Sequence, residues 1–408
     1  MLSAAPILDS LIAKADLPRL VFLAASASEE WQIHTGTGGD ARRATTEPNG
    51  QSVTASHVFE LFSCTKLVTA VALMQLIEQG KIALDDDAAT FVPEFGRVKL
   101  FKGFSDTGEL VLERNETPIT VRMLATHTAG FAYPYHSDTG RRIALKLGVD
   151  PFPYDAKATL GEIVDFPLMH PPGQRFTYGT SFDWLGLVIE AASGLDLEAY
   201  FQRHIFTPLG IMDASFCPPS GQIPLAYLST APPVRYAPSP PLTSRPLGGC
   251  GLKTSPSSFL RILQALLRGG DGLFRKQESV ELLSRAQLRT EEQRESLRDA
   301  VGAWVSPWSR KGGEADMDLA IGGALTGGVG KSGEESRRGK GTLSWSGRAA
   351  SYLTAEAPGA EQNDYWVIDR ERGVCFLLWT NTLPSAHPQV IELWEKLETA
   401  LYDGLEQQ

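Results

Sequence analysis

The chain is poor in the residues that would tie it to disulfides, zinc, nucleic acid or a membrane. Only four of its 408 residues are cysteine, Cys64, Cys217, Cys250 and Cys375. They lie far apart and form no CxxC pair, which argues against both a disulfide scaffold and a zinc site. Basic residues are outnumbered by acidic ones, 38 to 48, for a formal net charge of -10. That balance argues against nucleic acid and against an anionic membrane surface as partners. No apolar run has the unbroken length of a membrane span. The N-terminus lacks a basic n-region, and Asp9, Lys14 and Asp16 interrupt its apolar residues. It reads as a mature helix, and the expected location is the cytoplasm. The acidic run Asp85-Asp86-Asp87 lacks the Gly and Glu of a calcium loop, so no metal is expected there. No phosphate loop is expected at Gly330-Lys331-Ser332, because Leu325 stands where the first Gly is required. There is no Gly-x-Ser-x-Gly elbow, so His127 reads as a structural loop residue and not as part of a Ser-His-Asp triad.

What is present is a helix that is apolar almost throughout, Leu67 to Ile77, with a stop at Gly80. Ser63-Cys64-Thr65-Lys66 stands at its mouth. Residues three apart on a helix share a face, roughly 5–6 Å between Cβ atoms. A hydroxyl and an amine are thus side by side, and burial disfavours the charged form of a lysine. An amine that gives up its proton there can take one from Ser63 and make it a nucleophile. Taken alone, the spacing fits equally a capping serine and a lysine turned to water. Cys64 reads as a small buried filler.

Around this helix the chain opens with a helix over 5–15 and strands over 20–25, 31–34 and 57–61. The segment 36–56 reads as a loop. From about 85 to 252 most apolar runs have helical spacing, clearest over 160–166, 182–192 and 197–205. Ser255-Pro256 caps a further helix. Lys253-Thr254-Ser255 imitates a Lys-Thr-Gly strand motif but leads into that helix. A charged helical stretch covers 277–300, and the Gly-rich segment 312–341 reads as mobile. Strands return over 341–345, 365–369 and 374–380, with a turn at Arg370-Glu371-Arg372-Gly373, and a helix closes the chain over 388–401. The expected fold is α+β. It has one antiparallel sheet flanked by terminal helices, formed by 1–84 and 253–408, and a mainly helical inserted domain, 85–252, with the site in the cleft between them.

A serine–lysine pair needs a third group to move protons to the leaving group, and donors for the oxyanion. Tyr178 is the candidate for the first, between a Pro-Pro-Gly loop and a helix, although a core tyrosine would look the same. The 341–347 strand is the candidate for the second wall.

In sequence order, the chain carries Ser63-Cys64-Thr65-Lys66, Met123-Leu124-Ala125-Thr126-His127-Thr128-Ala129-Gly130, Tyr178-Gly179-Thr180-Ser181-Phe182-Asp183-Trp184, Pro208-Leu209-Gly210-Ile211-Met212-Asp213, Gly248-Gly249-Cys250-Gly251-Leu252 and Trp345-Ser346-Gly347. This set resembles the serine β-lactamase and penicillin-binding-like family, in its class C and esterase branch, and is most similar to the fungal lovastatin-type acyltransferases. The resemblance implies Ser63 as the acylated nucleophile, Lys66 as its proton acceptor and Tyr178 as the partner base and acid. It implies the backbone N–H groups of Ser63 and Arg348 as oxyanion donors. Tyr133, Thr180, Trp345, Ser346 and Gly347 would line the substrate. The Asn of the Tyr-x-Asn motif is Thr180 here, and the Lys of the Lys-Thr-Gly motif is Trp345. The cation that meets a lactam carboxylate is therefore missing, which fits an acyltransferase or esterase better than a lactamase. No cofactor is implied. The expected partners are a small-molecule acyl donor, a thioester or carrier-protein-bound acyl group included, and an alcohol or amine acceptor from secondary metabolism. The same residues would serve an ester hydrolase, and a non-catalytic binding protein on this fold is the remaining alternative. The stretch 349–364 is expected near the cleft.

Overall fold

Leu20–Ser26 has no polar side chain before its last residue, and the whole strand is buried. A strand of that composition needs cover on both faces, and it has it. The computed structural model describes residues 4–15, 17, 20–27, 36–38, 53–149, 166–217, 225–227, 235–237, 245–301, 317–327, 336–347, 364–380, 382–383 and 387–407. Leu20–Ser26 lies in a seven-stranded sheet in the order Gly36–Gly38, Leu20–Ser26, Val374–Trp379, Asp364–Asp369, Thr342–Gly347, Ala324–Thr326, Asp318–Leu319. Every neighbouring pair is antiparallel.

Alternation divides the side chains between two cores. Phe22, Ala24, Tyr365, Val367, Phe376 and Leu378 pack with Leu8 and Ile12 of helix Ala5–Ala13 and with Trp394 and Leu397 of helix Pro388–Glu406. Val21, Leu23, Trp366, Leu377 and Trp379 join the main core with helices Thr65–Glu78 and Pro256–Leu267. Thr65–Glu78 is buried from Thr65 through Gln75 to Leu76, as its apolar composition requires, and Gly80 follows at φ 70°. It packs against helix Ser181–Ser193. The fold is the α+β arrangement expected, with the antiparallel sheet built from both ends of the chain.

Several elements depart from the sequence reading. The segment between the two sheet portions also holds strands, a hairpin of Lys99–Phe104 with Leu110–Arg114 and a pair Leu225–Tyr227 with Arg235–Ala237. Phe59–Glu60 leaves the main sheet and pairs with Lys253–Thr254, so Lys253 lies on a short strand after all. Gly36–Gly38 is the edge strand beside Leu20–Ser26, whereas residues 31–34 lie outside the described residues. The Gly-rich segment contains Asp318–Leu319 and Ala324–Thr326, both in the sheet. Short two- and three-residue strands carry too little periodicity to be seen in a sequence. The charged stretch splits into Gln277–Leu283 and Glu291–Val301. The expected helix 160–166 falls mainly outside the described residues, as does Gly330-Lys331-Ser332. Among the described residues no helix is long and apolar enough to cross a membrane.

Asp85, Asp86 and Asp87 each have a local task. Asp86 accepts from the Ala83 N–H and Asp87 from the Ala89 N–H. Asp85 pairs with Arg122 and Arg289, and the Arg122 guanidinium above all holds its carboxyl down at about 2.

Candidate active site

Ser63 is set in place by a short strand and a strained turn. Glu60 and Lys253 face each other across the Phe59–Glu60/Lys253–Thr254 pair, 3.0 Å apart and both buried. Lys253 Nζ also donates to the carbonyls of Gly251 and Phe216, so all three N–H bonds of the lysine have acceptors. The Leu61 N–H donates to the Leu252 carbonyl at 2.9 Å. Phe62 then takes φ 42°, a left-handed conformation costly for a bulky residue and typical of functional turns. Ser63 sits in the 3₁₀ turn Phe62–Cys64, one turn ahead of helix Thr65–Glu78. Gly347 closes on this turn: a Cβ there would stand 2.5 Å from the Leu61 carbonyl oxygen. Cys64 is fully buried, and that burial pushes its thiol well above the ordinary range, so it is an unreactive filler.

Lys66 lies along the same helix face and is 5% exposed. Its Nζ donates to Ser63 Oγ at 3.0 Å, to the Tyr133 hydroxyl at 3.2 Å and to the Gly249 carbonyl at 2.8 Å. Three acceptors thus surround the one amino group. The hydroxyl of Tyr178 donates to Ser63 Oγ at 2.7 Å. Lys66 Nζ is 4.9 Å from the centroid of the Tyr178 ring. Hydroxyl, amine and phenol thus meet at one oxygen.

Tyr178 is held through its neighbours. The Thr177 N–H donates to the His127 carbonyl at 2.8 Å, and the Gly179 N–H makes a long contact of 3.5 Å with His127 Nδ1. A side chain at 179 would strike Phe131 and Ala132 backbone at about 2.4 and 2.5 Å. The His127 ring lies 4.7 Å from that of Tyr178 and stacks on Phe182. Burial, then the charges of Lys66 and His136, push the imidazole well below the ordinary histidine range. His127 is therefore neutral, and it takes φ 52° to reach this position.

Two further residues at this site, Asp183 and Gly249, lie within the motifs above but carry no expected role of their own. Asp183, in the first turn of Ser181–Ser193, is buried, and its Oδ1 accepts from the Gly249 N–H at 2.8 Å. Burial raises its carboxyl to about 6, against the lowering effects of Lys66 and of the Gly249 N–H. Gly249 presents its carbonyl to Lys66 on the other side. A signal was available: one acid inside Ser181-Phe182-Asp183-Trp184-Leu185, facing a core, and the paired glycines Gly248-Gly249.

A family model for Beta-lactamase matches residues 24–401. The chain belongs to the Beta-lactamase family. Among its relatives in that family, monacolin J acid methylbutanoyltransferase from Aspergillus terreus is 29% identical over 374 residues, covering 85% of this chain and 82% of that protein. Lovastatin esterase from Penicillium rubens is 30% identical over 335 residues, 78% of each chain. A solved structure of simvastatin synthase (LovD) from Aspergillus terreus, the LovD6 mutant, superposes with a TM-score of 0.82 at 27% identity, covering 99% of this chain and 96% of that one. With transferases and an esterase as its relatives, this member of the Beta-lactamase family is an enzyme.

The remaining residues expected at the substrate of such an enzyme have distinct placements. Tyr133 is buried, and its hydroxyl belongs to the Lys66 network. Trp345 forms a wall, its ring 5.5 Å from Tyr178. With Lys66, Leu67, His127, Phe182 and Trp366 it lines a small apolar pocket closed by residues 319–323. Ser346 is opposite Tyr365, whose neighbours are the terminal helices. Its side chain therefore turns away from Lys66, and only its main chain is on offer to the cleft. Thr180 is buried and starts helix Ser181–Ser193 with its carbonyl, which accepts from the Asp183 and Trp184 N–H groups. Arg348 and residues 349–363 lie outside the described residues.

Proposed function

We propose that the chain is a serine acyltransferase that works through an acyl ester on Ser63 and delivers the acyl group to an alcohol or amine of a small metabolite. The observation that carries this reading is the convergence on Ser63 Oγ of Lys66 Nζ at 3.0 Å and the Tyr178 hydroxyl at 2.7 Å.

In the first half-reaction Lys66, as the free amine, takes the Ser63 proton while Oγ attacks the acyl carbonyl carbon. The resulting ammonium has its remaining N–H bonds directed at Tyr133 and Gly249. The oxyanion would rest on the N–H groups of Ser63 and Arg348. As the intermediate collapses, a proton passes through Tyr178 to the departing thiolate or alkoxide. In the second half the acceptor hydroxyl or amine occupies the leaving group's place. Its proton returns along the same path, and the Ser63 ester breaks. Each half-reaction moves one proton from the incoming group to the departing one and exchanges one σ bond to the acyl carbon.

Trp345 stands where a lactamase would carry its carboxylate-binding lysine, which supports transfer of an uncharged acyl group. A thioester, free or carrier-protein-bound, is the donor we favour, with a secondary metabolite as acceptor. None of the four cysteines is in a disulfide, which fits work in a reducing cytoplasm. A second reading, ester hydrolysis, is favoured by the Penicillium rubens relative named an esterase. It differs only in whether water reaches the acyl-enzyme first.

The test is intact-protein mass after incubation with short acyl thioesters and chromogenic esters. The expected result is one acyl increment on the native chain, none on Ser63→Ala, and discharge that is faster with an added alcohol or amine than in buffer. Undiminished ester turnover by Ser63→Ala would overturn the reading.

A further inference from the structure

Asp183 has no step in a serine–lysine–tyrosine mechanism, yet it is tied to that mechanism at short range. Its Oδ1 accepts from the Gly249 N–H at 2.8 Å, and the Gly249 carbonyl accepts from Lys66 Nζ at 2.8 Å. Gly249 is gripped on its other flank as well, because Thr69 Oγ1 donates to the Gly248 carbonyl at 2.7 Å. A Cβ on Gly249 would stand 2.6 Å from Asp183 Oδ1, so the carboxyl and the glycine backbone are in direct contact. Helices Thr65–Glu78 and Ser181–Ser193 thereby clamp one glycine between an acid and an amine.

Charge points the same way. A buried carboxylate is costly unless a cation compensates it. The cation acting on Asp183 is Lys66. From the other elements packed here, Tyr133 feels both Asp183 and Cys250, together with Tyr178 and Tyr135, and none of these brings a positive charge. Asp183 is thus matched to the one group of the site that alternates between amine and ammonium.

We infer that Asp183 is a positioning residue for acyl transfer: its carboxylate fixes Gly249, whose carbonyl aims Lys66 at Ser63, and it is the counter-charge for the ammonium formed when Lys66 takes the Ser63 proton. The inference rests on the acyl-Ser63 reading above. Asp183 itself neither gains nor loses a proton during a turnover. Protonating it removes the counter-charge, so the rate of acylation falls as pH drops through about 6.

Asp183→Asn keeps an oxygen for the Gly249 N–H and removes the charge, while Asp183→Ala removes both. Single-turnover acylation by a chromogenic ester from pH 5 to 9, and labelling by a fluorophosphonate, read the effect. Asp183→Asn is expected to acylate about 10- to 100-fold more slowly at pH 7.5, the scale of loss when a reacting group is no longer held in its aligned position. Its KM should stay close to the native value, its circular dichroism native, and the acid limb near pH 6 should vanish. Asp183→Ala should be slower still. An Asn variant with the native rate and the native acid limb overturns the inference. So does a native profile flat from pH 5 to 8, a result that stands even if neither variant folds. If the native chain labels at Ser63 while Asp183→Asn labels just as fast, only this inference is lost. A native chain that never labels overturns the acyl-Ser63 reading too.

Discussion

The hydroxyls of Tyr178 and Ser63 share a hydrogen bond of 2.7 Å, in a site where both residues are more than nine-tenths buried. Tyr178→Phe removes that bond and little else, because the ring keeps its contacts with His127, His136 and Trp345. Loss of a positioned proton-transfer group costs on the order of 10²–10⁴ in rate. We therefore expect kcat for a chromogenic ester to fall by that range, with KM little changed and stability lower by about 1 kcal/mol or less. A Phe variant with native kcat would remove Tyr178 from the mechanism.

Gly249 has no room for a side chain. Its Cβ position is 2.6 Å from Asp183 Oδ1 and 3.1 Å from Cγ, and the first turn of a packed helix gives little. Gly249→Ala should displace either the carboxyl or the carbonyl that receives Lys66. Overpacking of this kind costs about 1–3 kcal/mol. Steady-state kinetics should show a larger loss in kcat than the fall in thermal midpoint would suggest. A variant destabilised but fully active would mean that the Lys66 acceptor is dispensable.

Long elements with a clear period were legible beforehand. The Leu67 to Ile77 run gave its buried helix, Ser255-Pro256 its capped one, and the apolar strands near both termini their places in one sheet. Spacing and the ordered motifs point to Ser63, Lys66 and Tyr178, and the three side chains stand together. The strands Phe59–Glu60 and Lys253–Thr254 were not legible as a pair, because two-residue strands far apart in sequence have no period, and their bond is a tertiary one. Lys253 looked like a motif decoy, and what it does, neutralising Glu60, is visible only in space. Asp183 is hidden in the sequence for a related reason. An acid in the first turn of a helix is expected on dipole grounds, and nothing local says that this one faces inward to a glycine and a lysine. The motif as a whole places Ser346 at the substrate, but the pleat sends alternate side chains to opposite faces.

Glu60 and Lys253 form an ion pair of 3.0 Å with both side chains nearly inaccessible, two residues before the strained Phe62. Removing one partner strands the other charge in the interior, which costs about 3–5 kcal/mol. Lys253→Met should lower the urea midpoint accordingly and reduce the yield of active chain. The double variant Glu60→Leu with Lys253→Met should recover most of the loss, since apolar side chains of similar volume replace buried pairs well. If the double variant is no better than the single one, the pair is not what holds this strand in place.

Asp183 should leave its mark on stability as well as on rate. Its carboxyl titrates near 6 in the folded chain, against an ordinary 3.8, because burial raises it more than Lys66 and Gly249 lower it. The folded chain thus holds this proton more tightly than the unfolded one. Below about pH 4 both states are protonated and the group is neutral for stability. Between there and pH 6 unfolding releases a proton, so stability falls as pH rises. Above pH 6 the loss levels off. From pH 4.5 to 7 the shift amounts to about 2 kcal/mol. Urea unfolding at the two pH values should show that decline in the native chain, on top of whatever Asp183→Asn shows, since asparagine has no proton to release. Equal declines in the two proteins would mean that Asp183 has an ordinary carboxyl. A smaller decline in the Asn variant, joined to its slower acylation, would mark the buried acid as a group retained for rate at the expense of stability.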